Sequence, residues 1–243
     1  MAITLPTHAK AVIIGGGIIG TSVAYHLTKL GWKDVVLLER KQLTSGTTWH
    51  AAGLIAQLRA TQNMTRLAKY SQELYFSLEE ETGVSTGFKR NGSITVALTG
   101  ERMEELRRSA GMARAFGVEI DEISTAEISN LYPGLNVEDA VGGVHLPKDG
   151  QGDPVNITQA LAKGARNGGA KIFEGVKVTD IITQNGVAAG VETSHGTIHA
   201  EYVVNCGGMW AREIGAMAGV SVPLHACEHF YIVTEGVEGL QSN

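Results

Sequence analysis

The pattern of apolar and polar positions is clearest in the first forty residues. Residues 11–14, AVII, form a short β-branched run that is typical of a buried parallel strand. After a glycine-rich turn, apolar positions recur at helical spacing up to Leu30, and Gly31 ends the predicted helix. A second apolar run, DVVLLER, then leads into Glu39 and Arg40. This order predicts a strand, a helix and a second strand of a parallel sheet.

The middle of the chain has a different order of predicted helices and strands. Residues 64–81, MTRLAKYSQELYFSLEEE, predict a helix whose apolar stripe we expect to face the core; the stripe comprises Leu67, Tyr70, Leu74 and Leu78. GSITVAL and VGGVHLP predict strands, ERMEELRRSAGMARAFG predicts a charged helix, and STAE predicts a capping box that opens another helix. The block at 84–149 therefore mixes helices and strands without regular βαβ alternation.

After residue 150 the sequence predicts a helix, several short strands and a second helix. Asp153 is a predicted N-cap, with Pro154 at the first helical position. AKIFEG, VKVTDIIT and VAAGVETSHGTIHAEYVVNCGG predict short strands, with hairpins at QNG and SHG. WAREIGAMA predicts a helix, and HACEHFYIVTE predicts the beginning of a further strand.

Composition and charge exclude several classes of protein. Hydrophobic residues make up 43% of the 243 positions and the net charge is −5, which predicts a packed core and argues against a nucleic-acid surface. No apolar run is long enough to span a membrane, and no secretory signal fits before the first strand. Cys206 and Cys227 lack metal-ligand spacing, so we expect buried, reduced thiols rather than a disulfide, and no metal site.

The turn after the first strand carries the strongest motif. Gly15, Gly17 and Gly20 form the motif G-x-G-x-x-G. The first glycine permits a tight turn, the second lets backbone amides approach a pyrophosphate, and the third allows close packing of the helix on the strand. Glu39, 19 residues beyond Gly20, can accept hydrogen bonds from an adenosine ribose. The complete order of elements predicts a dinucleotide site rather than a structural turn. It does not separate NAD from FAD; Glu39 disfavours NADP, although Arg40 leaves that cofactor open.

From Glu39 to Leu54, ERKQLTSGTTWHAAGL, the chain resembles the sarcosine and dimethylglycine dehydrogenases, within the D-amino-acid-oxidase-like flavoproteins. LYPGLNV, DGQGDP and VVNCGGMWAREIGAMAGVSVPL are also similar to that family. The resemblance implies an α/β fold: an FAD-binding Rossmann-like domain of D-amino-acid-oxidase/glutathione-reductase type with an inserted α+β substrate domain. We expect residues 1–83 and 150–221 to form the first domain and residues 84–149 and 222–243 the second. Because the family continues through further sheet and a folate-binding region, we expect both domains to be truncated.

The resemblance also implies a covalent bond between His50 and the 8α carbon of the flavin. On the residues alone, an ordinary loop histidine bonded to backbone is the simpler interpretation. The neighbouring hydroxyls and amides suit phosphate, the small residues after His50 suit a flavin ring, and the family places a backbone contact with adenine at Val178. Gly207 and Gly208 either approach FAD or are plain turn glycines. The predicted cofactor-binding residues are Gly15, Gly17, Ile18, Ile19, Gly20, Glu39, Arg40, Ser45, Gly46, Thr47, Thr48, Trp49, His50, Ala51, Ala52, Gly53, Leu54, Val178, Gly207 and Trp210.

Candidate catalytic residues lie in the last predicted strand. His229 and Tyr231 differ by two positions, so both face one side of a strand, where they could line an amine pocket. Packing of Tyr231 is an equal alternative. Arg59, shortly after the His50 segment, is a candidate anchor for a substrate carboxylate.

The function that this resemblance implies is FAD-dependent oxidative N-demethylation of sarcosine or a related N-methylglycine. Electrons would pass to an electron-transfer flavoprotein, or to oxygen in an oxidase, and tetrahydrofolate would bind in the family's further region. One alternative is a catalytically silent regulatory relative, like the regulatory subunit of pyruvate dehydrogenase phosphatase; another is a nicotinamide-dependent dehydrogenase. The expected location is the cytoplasm of a bacterium or the mitochondrial matrix of a eukaryote.

Overall fold

The computed structural model describes residues 3–232 and 235–236. In chain order the strands and helices are β1 (His8–Ile14), α1 (Ile18–Lys29), β2 (Val35–Leu38), β3 (Leu54–Ile55), α2 (Gln62–Thr82), β4 (Ser93–Ala97), α3 (Gly100–Ala115), β5 (Asp121–Ile123), α4 (Thr125–Leu131), β6 (Gly142–Leu146), β7 (Gly150–Gln151), α5 (Pro154–Asn167), β8 (Lys171–Phe173), β9 (Val178–Gln184), β10 (Val187–Thr193), β11 (Gly196–Asn205) and α6 (Ala211–Met217). Two 3-10 turns lie at Thr48–His50 and Gly208–Trp210.

Contacts between Cα atoms divide the chain into two compact units. The first comprises residues 1–52, 77–87 and 153–228, and the second comprises 53–76, 88–152 and 229–243, within the described part of each range. The structural units differ from the predicted domains chiefly in placing residues 53–76 in the second unit. Compactness does not say what either unit binds, so the assignment of the two domains stays a prediction.

The first unit contains a six-stranded sheet in the order β8-β2-β1-β11-β10-β9. The strands β8, β2, β1 and β11 run parallel, with Val12 paired to Val36 on one side and to Val203 on the other. β9, β10 and β11 form antiparallel hairpins, and Asn185 and Gly186 take the positive φ values that a tight hairpin turn requires. The predicted strand–helix–strand unit and both predicted hairpins are confirmed.

Alternate residues of this sheet pack on its two faces. On one face, α1 packs against α5, and the buried ring of Tyr25 lies against Gly164. The Tyr25 hydroxyl donates a 2.6 Å hydrogen bond to Glu81, and burial together with that carboxylate raises the pKa of Tyr25 to about 12. On the other face, a second apolar cluster includes Val12, Ile14, Val36, Leu38, Val191 and Ile198, with Ile214 and Met217 of α6 against it. The sheet is therefore covered on both faces, which suits its parallel strands.

The ends of the helices follow the sequence signals. The Asp153 carboxylate accepts a 2.9 Å hydrogen bond from the Asn156 amide, and Pro154 is the first residue of α5. In the second unit, Ser124 and Glu127 form the predicted capping box at α4. These local signals were sufficient because each side chain bonds the backbone of its own helix.

The second unit is built on a three-stranded antiparallel sheet in the order β4-β6-β5. The helix α3 packs on this sheet through an apolar cluster that includes Met103, Leu106, Ala110, Val144 and Leu146. A separate pair, β3 and β7, joins Leu54 to Gln151. The antiparallel strands with helices packed against them confirm the prediction that residues 84–149 mix helices and strands without βαβ alternation.

The predicted orientation of the α2 stripe was wrong in part. Leu78 is fully buried, but Leu67 and Tyr70 are 58% and 49% exposed. The buried positions nearby are polar: Thr65 and Gln72 are at most 1% exposed. The Gln72 carboxamide accepts a 2.7 Å hydrogen bond from a buried glutamine and donates to the carbonyl of residue 55. Because these hydrogen bonds satisfy the polar face, it can be buried in place of the apolar one.

The strand predicted from His225 onward is not observed. Residues 220–232 form no helix or strand, and Phe230 is 85% exposed. A strand needs a neighbour that takes its backbone N–H and C=O groups, and no described strand pairs with this segment. Residues 233, 234 and 237–243 lie outside the described residues. Cys227 in this segment is exposed, so the expectation that it is buried was also wrong.

We expect replacement of Gly164 by alanine to destabilise the first unit. An added Cβ would lie 2.7 Å from two ring carbons of Tyr25, whose ring is held by the bond to Glu81. Overpacking of this kind costs about 1–3 kcal/mol. Urea unfolding of Gly164→Ala measures the loss.

Gly111→Ala is the matched control, because Gly111 lies in a helix where an added Cβ meets no atom within 4 Å. Alanine there should leave the free energy of unfolding unchanged or raise it by up to about 1 kcal/mol. Equal stabilities of the two variants would contradict the packing described for α1 and α5.

Candidate functional site

A cavity of about 520 Å³ opens in the first unit at the carboxyl ends of the parallel strands. It lies where β1, β2 and β11 give way to their following turns, the usual position of a ligand site in an open α/β sheet. Its lining residues are Ile14, Gly15, Gly16, Gly17, Ile18, Ile19, Leu38, Glu39, Arg40, Ser45, Gly46, Thr47, Thr48, Val176, Lys177, Val178, Asn205, Cys206, Gly207, Gly208, Trp210, Glu213, Ile214 and Met217.

The glycine turn at the mouth of the cavity is too tight for side chains. Gly15 has φ +115°, and a Cβ there would collide with the carbonyl oxygen of Cys206. A Cβ on Gly20 would collide with the carbonyl oxygen of Gly15. The absence of side chains lets α1 begin directly against the ends of β1 and β11. Backbone at this turn is therefore open to a ligand in the cavity.

The N-terminus of α1 lines this cavity. Gly17, the N-cap, is extended and has no side-chain cap hydrogen bond, whereas the Ile18 amide donates to Thr48 Oγ1 at 3.2 Å. The first amides of a helix lack partners within the helix, and the helix dipole places partial positive charge there. This end of α1 can bind an anionic group such as a pyrophosphate.

Glu39 stands at the end of β2, with its carboxylate fixed by backbone. The Gly16 amide donates to Oε2 at 2.7 Å and the Lys41 amide donates to Oε1 at 2.8 Å. A carboxylate offers about four acceptor positions, so two remain for other donors. An acid fixed beside a glycine turn is suited to accept hydrogen bonds from the hydroxyls of a ribose.

The lining of the cavity also includes apolar side chains and one thiol. Val178, Ile214 and Met217 line the cavity; Val178 belongs to the apolar cluster of the sheet, and the other two pack against that cluster. Cys206, just after β11, is half-buried, and burial raises the pKa of its thiol to about 11. Because the thiol is protonated near neutral pH, it adds no charge to the lining, and the apolar side chains of Val178, Ile214 and Met217 can contact an aromatic base.

The structure brings most of the predicted cofactor-binding residues to one cavity. Those that line it are Gly15, Gly17, Ile18, Ile19, Glu39, Arg40, Ser45, Gly46, Thr47, Thr48, Val178, Gly207 and Trp210. Gly20 lies behind the turn, against Gly15. Trp49, His50, Ala51, Ala52, Gly53 and Leu54 do not line the cavity.

His50 closes the 3-10 turn that begins at Thr48. Its ring centroid lies 3.8 Å from that of Trp49, and both side chains are exposed. Thr48, two residues earlier, accepts a hydrogen bond from the start of α1 and lines the cavity, so His50 lies two residues along the chain from the cavity wall.

The candidate catalytic residues lie in the second unit. His229 and Tyr231 are exposed in the irregular segment rather than on a strand, so the argument that a strand points them to one side no longer applies. Arg59 is also exposed, and its guanidinium donates to the carbonyl of Leu58 at 2.9 Å. None of the three lines the cavity described above.

Several residues that line the cavity were not predicted from the sequence. They are Ile14, Gly16, Leu38, Val176, Lys177, Asn205, Cys206, Glu213, Ile214 and Met217. Asn205 and Cys206 end a strand that runs parallel to β1, so a parallel assignment of β11 would have predicted them. The residues of α6 had no such signal, because short helices have no distinctive pattern on the side that faces a ligand.

The donor set fits FAD: a glycine turn against a helix N-terminus for the pyrophosphate, an acid for the ribose and an apolar wall for the adenine. Two other kinds of site are not found in the described ranges. Residues 3–232 and 235–236 contain no cluster of His, Cys, Asp or Glu that could hold a metal ion. Every helix in the same ranges is too short or too polar to cross a bilayer.

Two mitochondrial proteins are similar in sequence to nearly the whole chain. Human mitochondrial sarcosine dehydrogenase is 46% identical over 98% of this chain, which covers 27% of that protein. The mouse mitochondrial pyruvate dehydrogenase phosphatase regulatory subunit is 42% identical over 100% of the chain, which covers 28% of it. The chain thus spans about a quarter of the length of these relatives.

A solved structure gives the same fold. L-proline dehydrogenase from P. horikoshii superposes with a TM-score of 0.84 at 33% identity, covering 89% of this chain and 57% of that one. The predicted α/β fold of D-amino-acid-oxidase type and the resemblance to the sarcosine and dimethylglycine dehydrogenases are confirmed. The model of the family described as FAD dependent oxidoreductase (DAO) matches residues 10–243, and the chain belongs to that family.

Proposed function

We propose that the protein binds FAD in the cavity of the first unit and oxidatively demethylates sarcosine or a related N-methylglycine. The observation that carries this proposal is the convergence of the glycine turn, Glu39 and the Thr48–His50 turn on one cavity wall or directly beside it. Relatives named sarcosine dehydrogenase and dimethylglycine dehydrogenase support the substrate class.

Each element of the cavity has one task in this proposal. The first amides of α1 bind the pyrophosphate, Glu39 accepts from the ribose, and the wall at Val178 contacts the adenine. Bound FAD supplies the acceptor for a hydride equivalent from the N-methyl group, and hydrolysis of the resulting iminium releases formaldehyde. The protein contributes binding and orientation, and the substrate amine must be its free base to react.

We further propose that His50 forms a covalent tether to the flavin. A neutral imidazole is a nucleophile. His50 ends the short turn that begins at Thr48, a residue of the cavity wall. Roles for His229 and Tyr231 at the substrate, and for Arg59 as a carboxylate anchor, stay predictions. An electron-transfer flavoprotein as acceptor, tetrahydrofolate as a second cofactor, and a location in the bacterial cytoplasm or mitochondrial matrix belong to the same proposal for the whole protein.

A regulatory protein without catalysis is the second candidate. The pyruvate dehydrogenase phosphatase regulatory subunit is similar over the whole chain, at nearly the identity of the dehydrogenases. Such a protein would keep the FAD cavity and lack turnover of an amine. Substrate reduction of the flavin separates the two candidates.

The full-length protein should be yellow, and anaerobic sarcosine or dimethylglycine should bleach its visible flavin absorbance. Glycine, which has no N-methyl group to oxidise, is the matched control and should leave the spectrum unchanged on the same timescale. A yellow protein that no N-methylamine bleaches would favour the regulatory candidate. A colourless protein that takes up no added FAD would refute both.

The tether is tested by precipitating the full-length holoprotein in acid. Flavin should remain in the pellet of the wild-type protein and pass entirely to the supernatant for His50→Ala, because only a covalent bond survives unfolding. His195→Ala, at an exposed hairpin turn, is the control and should keep flavin in the pellet. Wild-type flavin in the supernatant would exclude the tether without excluding FAD binding.

A further inference from the structure

Trp210 occupies a turn that is fixed from two sides. The Asn205 carboxamide oxygen accepts from the Gly207 amide at 3.1 Å, and its nitrogen donates to the Ala211 carbonyl at 2.8 Å. The Trp210 amide also donates to the Gly207 carbonyl at 3.0 Å. The Asn205 side chain thus spans the turn between β11 and α6. The backbone of Trp210 is therefore held in place.

The Trp210 ring contacts two parts of the cavity rim. The guanidinium carbon of Arg40 lies 4.0 Å from the ring centroid. On the loop after β2, a Cβ added to Gly46 would lie 3.4 Å from the indole, so the ring rests on the backbone of that loop. Trp210, Arg40 and Gly46 all line the cavity. The indole therefore joins the segments that follow β2 and β11 at one side of the site.

Arg40 balances negative charge in the lining of the cavity. Glu39 and Glu213 are the two carboxylates of the lining, and Arg40 and Lys177 are its two cations. A pyrophosphate brings further negative charge, so loss of one cation leaves the carboxylates in excess and disfavours binding. A long arginine side chain loses much conformational entropy when it is fixed, and an aromatic face that already holds the guanidinium reduces that loss on binding.

We propose that Trp210 is a positioning residue that holds Arg40 at the cavity rim, and that the pair retains the dinucleotide because the positive charge of Arg40 in the lining offsets the negative charge of the phosphates. The inference rests on the proposed binding of FAD in this cavity. It assigns to Trp210 an effect that acts through Arg40, and it predicts that the two side chains are energetically coupled in FAD release.

The test is a double-mutant cycle on the dissociation rate of FAD. It uses the full-length protein carrying His50→Ala, so that the flavin exchanges whether or not the natural protein tethers it. Trp210→Ala and Arg40→Ala should each speed FAD release about three- to thirtyfold, the range expected for a cation on an indole ring. The double variant should release FAD no faster than the faster single variant, because the second change removes an interaction already lost.

Conservative variants separate positioning from packing. Trp210→Phe keeps an aromatic face and should restore most of the slow release, and Arg40→Lys, which lacks a planar guanidinium, should lie between arginine and alanine. These two also keep the test decisive if an alanine variant does not fold. A tryptophan that only packs the loop would speed release in the Arg40→Ala protein as much as in the Arg40 protein. Such additive effects would overturn the inference.

The chain offers a matched control pair at Lys10 of β1 and Trp32, which follows α1. Lys10 lies with its ammonium 4.5 Å from the Trp32 ring centroid, and neither residue lines the cavity. Trp32→Ala and Lys10→Ala should leave FAD release unchanged. If neither the wild-type nor the His50→Ala protein binds FAD, the proposed function fails together with this inference. If only the His50→Ala protein binds none, the inference alone fails, because the pair then does not retain an untethered dinucleotide. If it binds FAD and the cycle is additive, only the inference fails.

Discussion

Two backbone carbonyl oxygens, that of Gly15 after β1 and that of Cys206 after β11, leave no room for side chains on Gly20 and Gly15. This close approach lets α1 start against the strand ends, and every other feature of the cavity is arranged around it. The start of α1 fixes Thr48 through the Ile18 amide, and the Gly16 amide fixes the carboxylate of Glu39. A larger residue at either glycine would move the helix, and with it the partners that build the wall.

Around that turn, the polar groups of the first unit are held before any ligand arrives. The Glu39 carboxylate has two backbone donors, and Asn205 spans the turn that carries Trp210. Groups that are already oriented lose little entropy when they bind, so a site of this kind can hold a flexible dinucleotide.

The features that the sequence predicted depend on contacts between residues close in the chain or on one fixed spacing of residues in a motif. The glycine turn, the acid after β2, the N-cap at Asp153 and the capping box at Ser124 depend on neighbours within a few residues or within one βαβ unit. The features that it missed depend on distant partners. Leu67 and Tyr70 are exposed because buried hydrogen bonds satisfy the polar side of their helix. Residues 225–232 form no strand, because among the described residues no strand lies beside them. Likewise, Asn205 and Cys206 enter the site only because β11 lies parallel to β1.

That parallel pairing has a consequence for how the protein is made. Ile14 and Asn205 are neighbours in the sheet but lie near opposite ends of the described chain. During synthesis, the glycine turn leaves the ribosome long before the strand that completes its wall. Pairing between strands far apart in the chain forms slowly. Until β11 pairs with it, the apolar edge of β1 is exposed and prone to aggregation. A ligand that needs the wall at Asn205 can bind only after the sheet has closed, and a ligand that binds only the closed form withdraws newly made chains from that hazard.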